Sequence, residues 1–212
     1  NEYVFDATDS EIAAAEALRG RLEALLSGES SFPRPWLAMA AAYFPLEGLA
    51  CAERLLALDC GQALAALVDQ QVREPRRERQ LRAQIPALTA IGAGVSSQVQ
   101  AQYEENPYPR WTRAPAILAP LSIDLSLASV GYAGRKTEEL GLTNMDYAQA
   151  DITRLGPLER RFDLIESIGV LHHLEDPEAG WRTLADLLRP GGVMLIALRA
   201  IVRRRPLPLP LD

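Results

Sequence analysis

The sequence predicts an α/β fold, a parallel sheet preceded by an all-α region. Three features carry that expectation: alanine- and leucine-rich helical periodicity up to about residue 100, a proline- and aromatic-rich break at 104–111, and strand-helix-strand alternation from Ala116 onward. The corresponding domain organisation is a helical region over 1–100, a stiff strap over 101–115, an incomplete sheet domain over 116–200 and an exposed tail over 201–212.

The first helix is the plainest. Thr8 and Glu11 have capping-box spacing, and Ile12, Ala15, Leu18, Leu22, Leu25 and Leu26 share one helical face before Gly28 ends it. After the turn-rich SGESSFPRP come WLAMAAAYF, EGLACAERLLALD and QALAALVDQQVRE, each bounded by proline or glycine, which predicts short antiparallel helices. The charged PRRERQLRAQI predicts a further helix with its arginines and glutamates in water, and VSSQVQAQYEEN a sixth. No period of about 34 residues with a tetratricopeptide signature is present. In EENPYPRW, Pro107 and Pro109 push their predecessors toward extended geometry. The aromatics Tyr103, Tyr108 and Trp111 either brace the next domain or wall a ligand site.

From there the pattern is βαβ. LSIDL predicts a strand, SLASVGYAGRKTEELG a helix capped by Ser126 and stopped at Gly141, and NMDYAQAD a second strand. FDLIESI and GVMLIAL are nearly continuous apolar runs, as in parallel sheets covered on both faces, with PEAGWRTLADLLRPGG helical between them. Such sheets bind ligands at the carboxyl ends of their strands. Asp124 closes the first strand, where a carboxylate can accept hydrogen bonds from both hydroxyls of a ribose, and Asp151 closes the second, where it could receive an adenine amino group. Either aspartate could equally be a turn residue.

Composition narrows the function classes. A net charge of -6 with a pI near 5.1 argues against neutralising phosphate backbones or anionic membranes, Arg203, Arg204 and Arg205 being the only dense basic run. Cys51 and Cys60 lack the spacing of a zinc site or a disulfide framework. His172 and His173 are sequence neighbours that point apart, with no third ligand nearby, which disfavours a metal. Without GxSxG, a hydrolase built from Ser167, His172 and Asp176 is disfavoured, and without GxGxxG, so is a dinucleotide oxidoreductase. No signal-peptide pattern and no run of about eighteen apolar residues is visible, so a cytoplasmic location is expected. Pro206, Pro208 and Pro210 predict an extended tail without the PxxP spacing of common SH3 ligands.

The set SIDLS, YAQADI, FDLIESIGVLHHLEDPEAGW and LLRPGGVMLIAL, introduced by QYEENPYPRW, resembles class I S-adenosylmethionine-dependent methyltransferases. The likeness is to bacterial members with a helical or tetratricopeptide region before a Rossmann-like methyltransferase domain, and it covers roughly residues 98–198. It implies that S-adenosylmethionine is the cofactor, that Asp124 holds the ribose hydroxyls and that Leu125 packs on adenine. It further implies that Asp151 and Ile152 meet the adenine edge, that backbone near Ser167 meets the methionine end, and that His172 faces the reacting methyl or the unknown acceptor. Two departures from the family pattern stand out. AILAP meets LSIDL with no glycine-rich loop, only seven residues separating Ala116 from Asp124 where a parallel crossover needs about a dozen. The closing C-terminal strands are also not found. Two functions are therefore expected: a methyltransferase whose site is completed by the strap, the helices or another subunit, or a non-catalytic, truncated interaction module. In either case a partner or oligomer covering an exposed sheet edge is expected.

Overall fold

A computed structural model describes residues 6–28, 31–50, 52–59, 61–105 and 120–198. The strap's Tyr108 and Trp111, the AILA stretch, Cys51, Cys60 and the tail lie outside the described residues. The chain forms two compact units: Asn1–Gln84 with Gly131–Thr143, and Ile85–Val130 with Asn144–Asp212. The second therefore begins well before Ala116, because residues 86–88 join its sheet through a parallel bridge between Ala87 and Gln149.

In the first unit, α1 (Asp9–Ser27) carries both halves of the capping box: Thr8 N donates to Glu11 Oε2 at 2.8 Å and Glu11 N to Thr8 Oγ1 at 3.3 Å. It buries Ala15, Leu22 and Leu26 and packs on α2 (Arg34–Tyr43), which buries Leu37, Ala40 and Ala41. The expected helix EGLACAERLLALD is replaced by two 3-10 turns, Leu46–Gly48 and Ala52–Ala57. The reason is legible afterwards: Leu46, Leu49, Ala52 and Leu55, all buried, recur every third residue, the period of a 3-10 rather than an α-helix. Next, α3 (Gly61–Val68) and α4 (Glu74–Arg82) form one helical run joined by a π-turn, Asp69–Arg73, where a break had been expected. Pro75 has no N–H for the carbonyl four residues back and its ring crowds that group, so the wider turn just before it absorbs the conflict. The charges of this run are not all in water. Residues Gly131–Thr143 approach α4 so closely that a Cβ on Gly131 would lie 2.8 Å from Arg82 Cγ. There Arg135, buried, donates to Glu78 and pairs with Glu74, each at 2.9 Å, and also pairs with Glu139.

In the second unit, α5 (Val95–Glu105) precedes two parallel ladders: β1 (Leu121–Asp124) with β2 (Asp146–Gln149), and β3 (Phe162–Ile168) with β4 (Leu188–Ala197). The strands lie where the sequence puts them, except that β4 starts four residues before Gly192, with a register shift opposite Phe162–Leu164 and Gly191 at φ 81°. Helix α6 (Leu127–Glu139) follows β1, Ser126 Oγ accepting from Ser129 N at 3.1 Å, and Gly141 follows its end at φ 68°. Helix α7 (Pro177–Asp186) precedes β4, capped by Asp176. The core comprises Ala150, Leu155, Leu171, Leu184 and Leu187, against which Ile123, Ile165, Met194 and Ile196 pack. Coverage of both sheet faces was expected. Among the described residues, however, the alternate positions Leu164, Ile168, Val193 and Leu195 are exposed, Val193 being 63% exposed.

Candidate functional site

The carboxyl ends of β1, β2 and β3 contribute to one cavity of about 450 Å³, whose remaining walls come from α5, the turn carrying His173 and Leu174, and apolar residues including Leu158, Leu184 and Leu187. Asp124, Leu125, Asp151, Ile152 and Ser167 all line it, among mostly apolar neighbours such as Val99, Ile123, Leu155 and Ile165. Parallel pairing brings the β1 and β2 ends together. Asp124 is aligned with Gln149, so strands running the same way end at the same rim, and Ala150 N donates to Asp124 O at 3.0 Å as the chain leaves β2.

The two aspartates are chemically unlike. Asp124 accepts from Ser126 N at 2.8 Å through Oδ1. Burial pushes its carboxyl up to about 6, aided by the nearby Glu104 charge and opposed by the backbone donors of Ser126 and Leu125. A carboxylate whose ionised form is disfavoured by burial gains from any ligand that brings hydroxyls. Asp151 is fully buried, which by itself would raise its pKa. That is the largest single influence, but the Thr153 hydroxyl at 2.7 Å, Gly92 N at 2.9 Å, Ser96 and Thr153 N at 2.9 Å together outweigh it, and the pKa is lowered. Both carboxylate oxygens are thus engaged within the protein, which leaves Ile152 and the adjoining backbone as the cavity-facing groups at this strand end.

Ser167 lies near the end of β3, buried, and its Oγ has no hydrogen-bond partner among the described residues. A buried hydroxyl without a partner costs about 1–3 kcal/mol, an amount a polar ligand group can recover. Past the strand, Gly169 at φ 72° turns the chain into a 3-10 turn, Leu171–His173. There the residue on the cavity wall is His173; His172 sits behind it, half-buried, ring centroids 4.1 Å apart, with its Nδ1 buried and unpartnered among the described residues. Tyr103 OH lies 3.5 Å from His173 Nε2, their rings edge-on, so this strap aromatic is a cavity wall.

Sequence reasoning missed the contribution of residues 89–99. Thr89, Gly92 and Ser96 hold the Asp151 turn, and Val95 and Val99 line the cavity. The available signal was small: TAIGAGVSS is a turn-rich lead into a helix whose valines stand four apart, and it lies ahead of the break that was taken as the boundary.

Among the described residues no cluster of three or more metal-ligating side chains occurs, and no helix is long and apolar enough to cross a membrane. A family model described as a methyltransferase domain matches residues 110–196. An uncharacterised protein of Synechococcus sp. is 34% identical over 84 residues, 39% of this chain and 20% of that protein. A ubiquinone biosynthesis O-methyltransferase of Parvibaculum lavamentivorans is 35% identical over 79 residues, 37% of this chain and 31% of that protein. The chain thus spans less than a third of the length of these two relatives.

Proposed function

We propose that residues 110–196, which match the methyltransferase-domain model, form a class I S-adenosylmethionine-dependent methyltransferase domain, that the cavity is its cofactor site and that the chain transfers a methyl group to an acceptor hydroxyl. The observation that carries the reading is the pairing, in one apolar cavity, of a half-buried carboxylate with a raised pKa, Asp124, with an unpartnered buried hydroxyl, Ser167 Oγ. S-adenosylmethionine supplies a methyl already activated on a sulfonium. The remaining tasks are to bind, align and exclude water.

For those tasks Asp124 would take the ribose hydroxyls, and Leu125 and Ile152 would hold the adenine between apolar surfaces. Ser167 would bind at the methionine end. With Asp151 committed to Thr153, Gly92 and Ser96, its role is to shape the turn that presents Ile152. An acceptor hydroxyl must shed its proton as oxygen takes the methyl, and an imidazole titrating near neutrality is suited to receive it. His173, on the cavity wall, fits that role better than His172, which would orient it from behind. A hydroxyl acceptor is also in keeping with the Parvibaculum relative, an O-methyltransferase by name.

Calorimetric titration with S-adenosylhomocysteine tests the reading. Binding in the micromolar range that falls at least tenfold in Asp124→Ala supports it. A folded wild-type chain that gives no heat at millimolar ligand contradicts it.

A further inference from the structure

The polar groups on the cavity's far sides are tied to α5 and the loop that leads into it. Asp151 is gripped by Gly92 and Ser96, and His173 meets Tyr103. The third tie is Glu104, whose Oε1 accepts from Leu127 N at 2.5 Å and whose Oε2 accepts from Ala128 N at 3.3 Å. Together with Ser126 Oγ on Ser129 N, these bonds satisfy the open N–H groups at the start of α6. The same turn begins at Asp124, whose carboxylate holds Ser126 N. Glu104 thus fixes one end of a five-residue turn and Asp124 the other, and Glu104 lies ahead of the residues that the methyltransferase family model matches.

A carboxylate at a helix N-terminus is favoured by about 0.3–1 kcal/mol on charge alone. Here it brings an added cost, since Glu104 faces a second carboxylate and disfavours ionisation of Asp124. A like charge kept at that spot has to be offset by the geometry it enforces. Without it, two backbone donors at the start of α6 would lose their partner and Asp124 would lose the fixed turn that aims it at the cavity.

We propose that Glu104 is a positioning residue for ribose recognition, acting through the α6 turn to hold Asp124 where it meets the sugar hydroxyls. The inference rests on the cofactor-site reading above. It differs from that reading in assigning a binding function to α5, which the resemblance leaves as an introductory segment.

The test is a cycle of two ligands and two proteins: S-adenosylhomocysteine and its 2′-deoxy analogue, titrated into the wild-type chain and Glu104→Ala. In the wild type, removal of the 2′-hydroxyl should weaken binding tenfold or more. In Glu104→Ala that ratio should shrink to within about threefold, because a misaimed carboxylate no longer distinguishes the two ligands. A purely structural role would weaken both ligands equally and leave the ratio at its wild-type value, which overturns the proposal. No binding of either ligand to the folded wild type overturns the cofactor-site reading and this inference with it. A wild-type ratio kept in Glu104→Ala overturns this inference alone. Should Glu104→Ala not fold, Glu104→Gln replaces it, keeping one acceptor oxygen; a reduced ratio supports the proposal and an unchanged one overturns it.

Discussion

At the scale of single residues, two strand-end aspartates that look alike in sequence have opposite energetics. Asp124 has its pKa raised to about 6, chiefly by burial, so the folded state holds its proton more tightly than the unfolded chain does. Its contribution to stability is present in full below the ordinary value of 3.8 and is lost as pH rises through about 6. Asp124→Asn should therefore raise the melting temperature at pH 8, by an amount equivalent to about 1–3 kcal/mol, while weakening cofactor binding. Thermal melts at pH 4.5 and pH 8 check this: the gain should be clearly smaller at the lower pH. Because hydroxyl donors favour the ionised carboxylate, wild-type affinity for S-adenosylhomocysteine should also fall as pH drops below about 6, approaching tenfold per unit. Asp151 behaves in the opposite sense, its Thr153, Gly92 and Ser96 bonds contributing stability above pH 3.8 that is lost as acid protonates it. Removing those bonds in Asp151→Ala should cost about 2–4 kcal/mol in urea unfolding at pH 7, since it strands buried donors. The sequence made both carboxylates visible as strand-end acids. It could not separate them, because beside the local Thr153 the donors that engage Asp151 include Gly92 and Ser96, some sixty residues earlier.

At the scale of elements, helices with strong local signals were legible and those shaped by packing were not. The first helix follows from Thr8, Glu11 and its apolar stripe, all local. The 3-10 turns from Leu46 to Ala57 depend instead on burying every third residue, a period that competes with the helical propensity of alanine and leucine. The approach of residues 131–143 to α4 depends on Gly131, where a Cβ would also meet Glu78 O at 3.1 Å. Gly131→Ala should thus destabilise by about 1–3 kcal/mol through overpacking, despite the ~1 kcal/mol that alanine otherwise gains in a helix. Arg135→Ala should cost more, about 3–5 kcal/mol, by leaving Glu74, Glu78 and Glu139 around an uncompensated site. Chemical denaturation of the two variants gives the order directly; a Gly131→Ala protein more stable than wild type would show that α4 can give way.

At the scale of the whole molecule, strand positions and their parallel sense could be read from apolar runs and βαβ spacing, and the cavity at their carboxyl ends followed from that sense. Pairing into two separate ladders could not be read, because pairing is chosen between segments distant in sequence. Nor did the apolar runs reveal that Leu164, Ile168, Val193 and Leu195 are exposed among the described residues, since a run that alternates nothing cannot say which face is covered. Replacing Val193 and Leu195 with threonine should leave stability within about 0.5 kcal/mol and lower the binding of a hydrophobic dye. The central claim is that the β1, β2 and β3 ends form an adenosyl pocket, and a crystal structure with S-adenosylhomocysteine tests it most directly. The account predicts ribose hydroxyls within hydrogen-bond distance of Asp124, adenine beside Leu125 and Ile152, and the amino-acid end at Ser167. Ligand bound elsewhere, or a ribose turned away from Asp124, would contradict it.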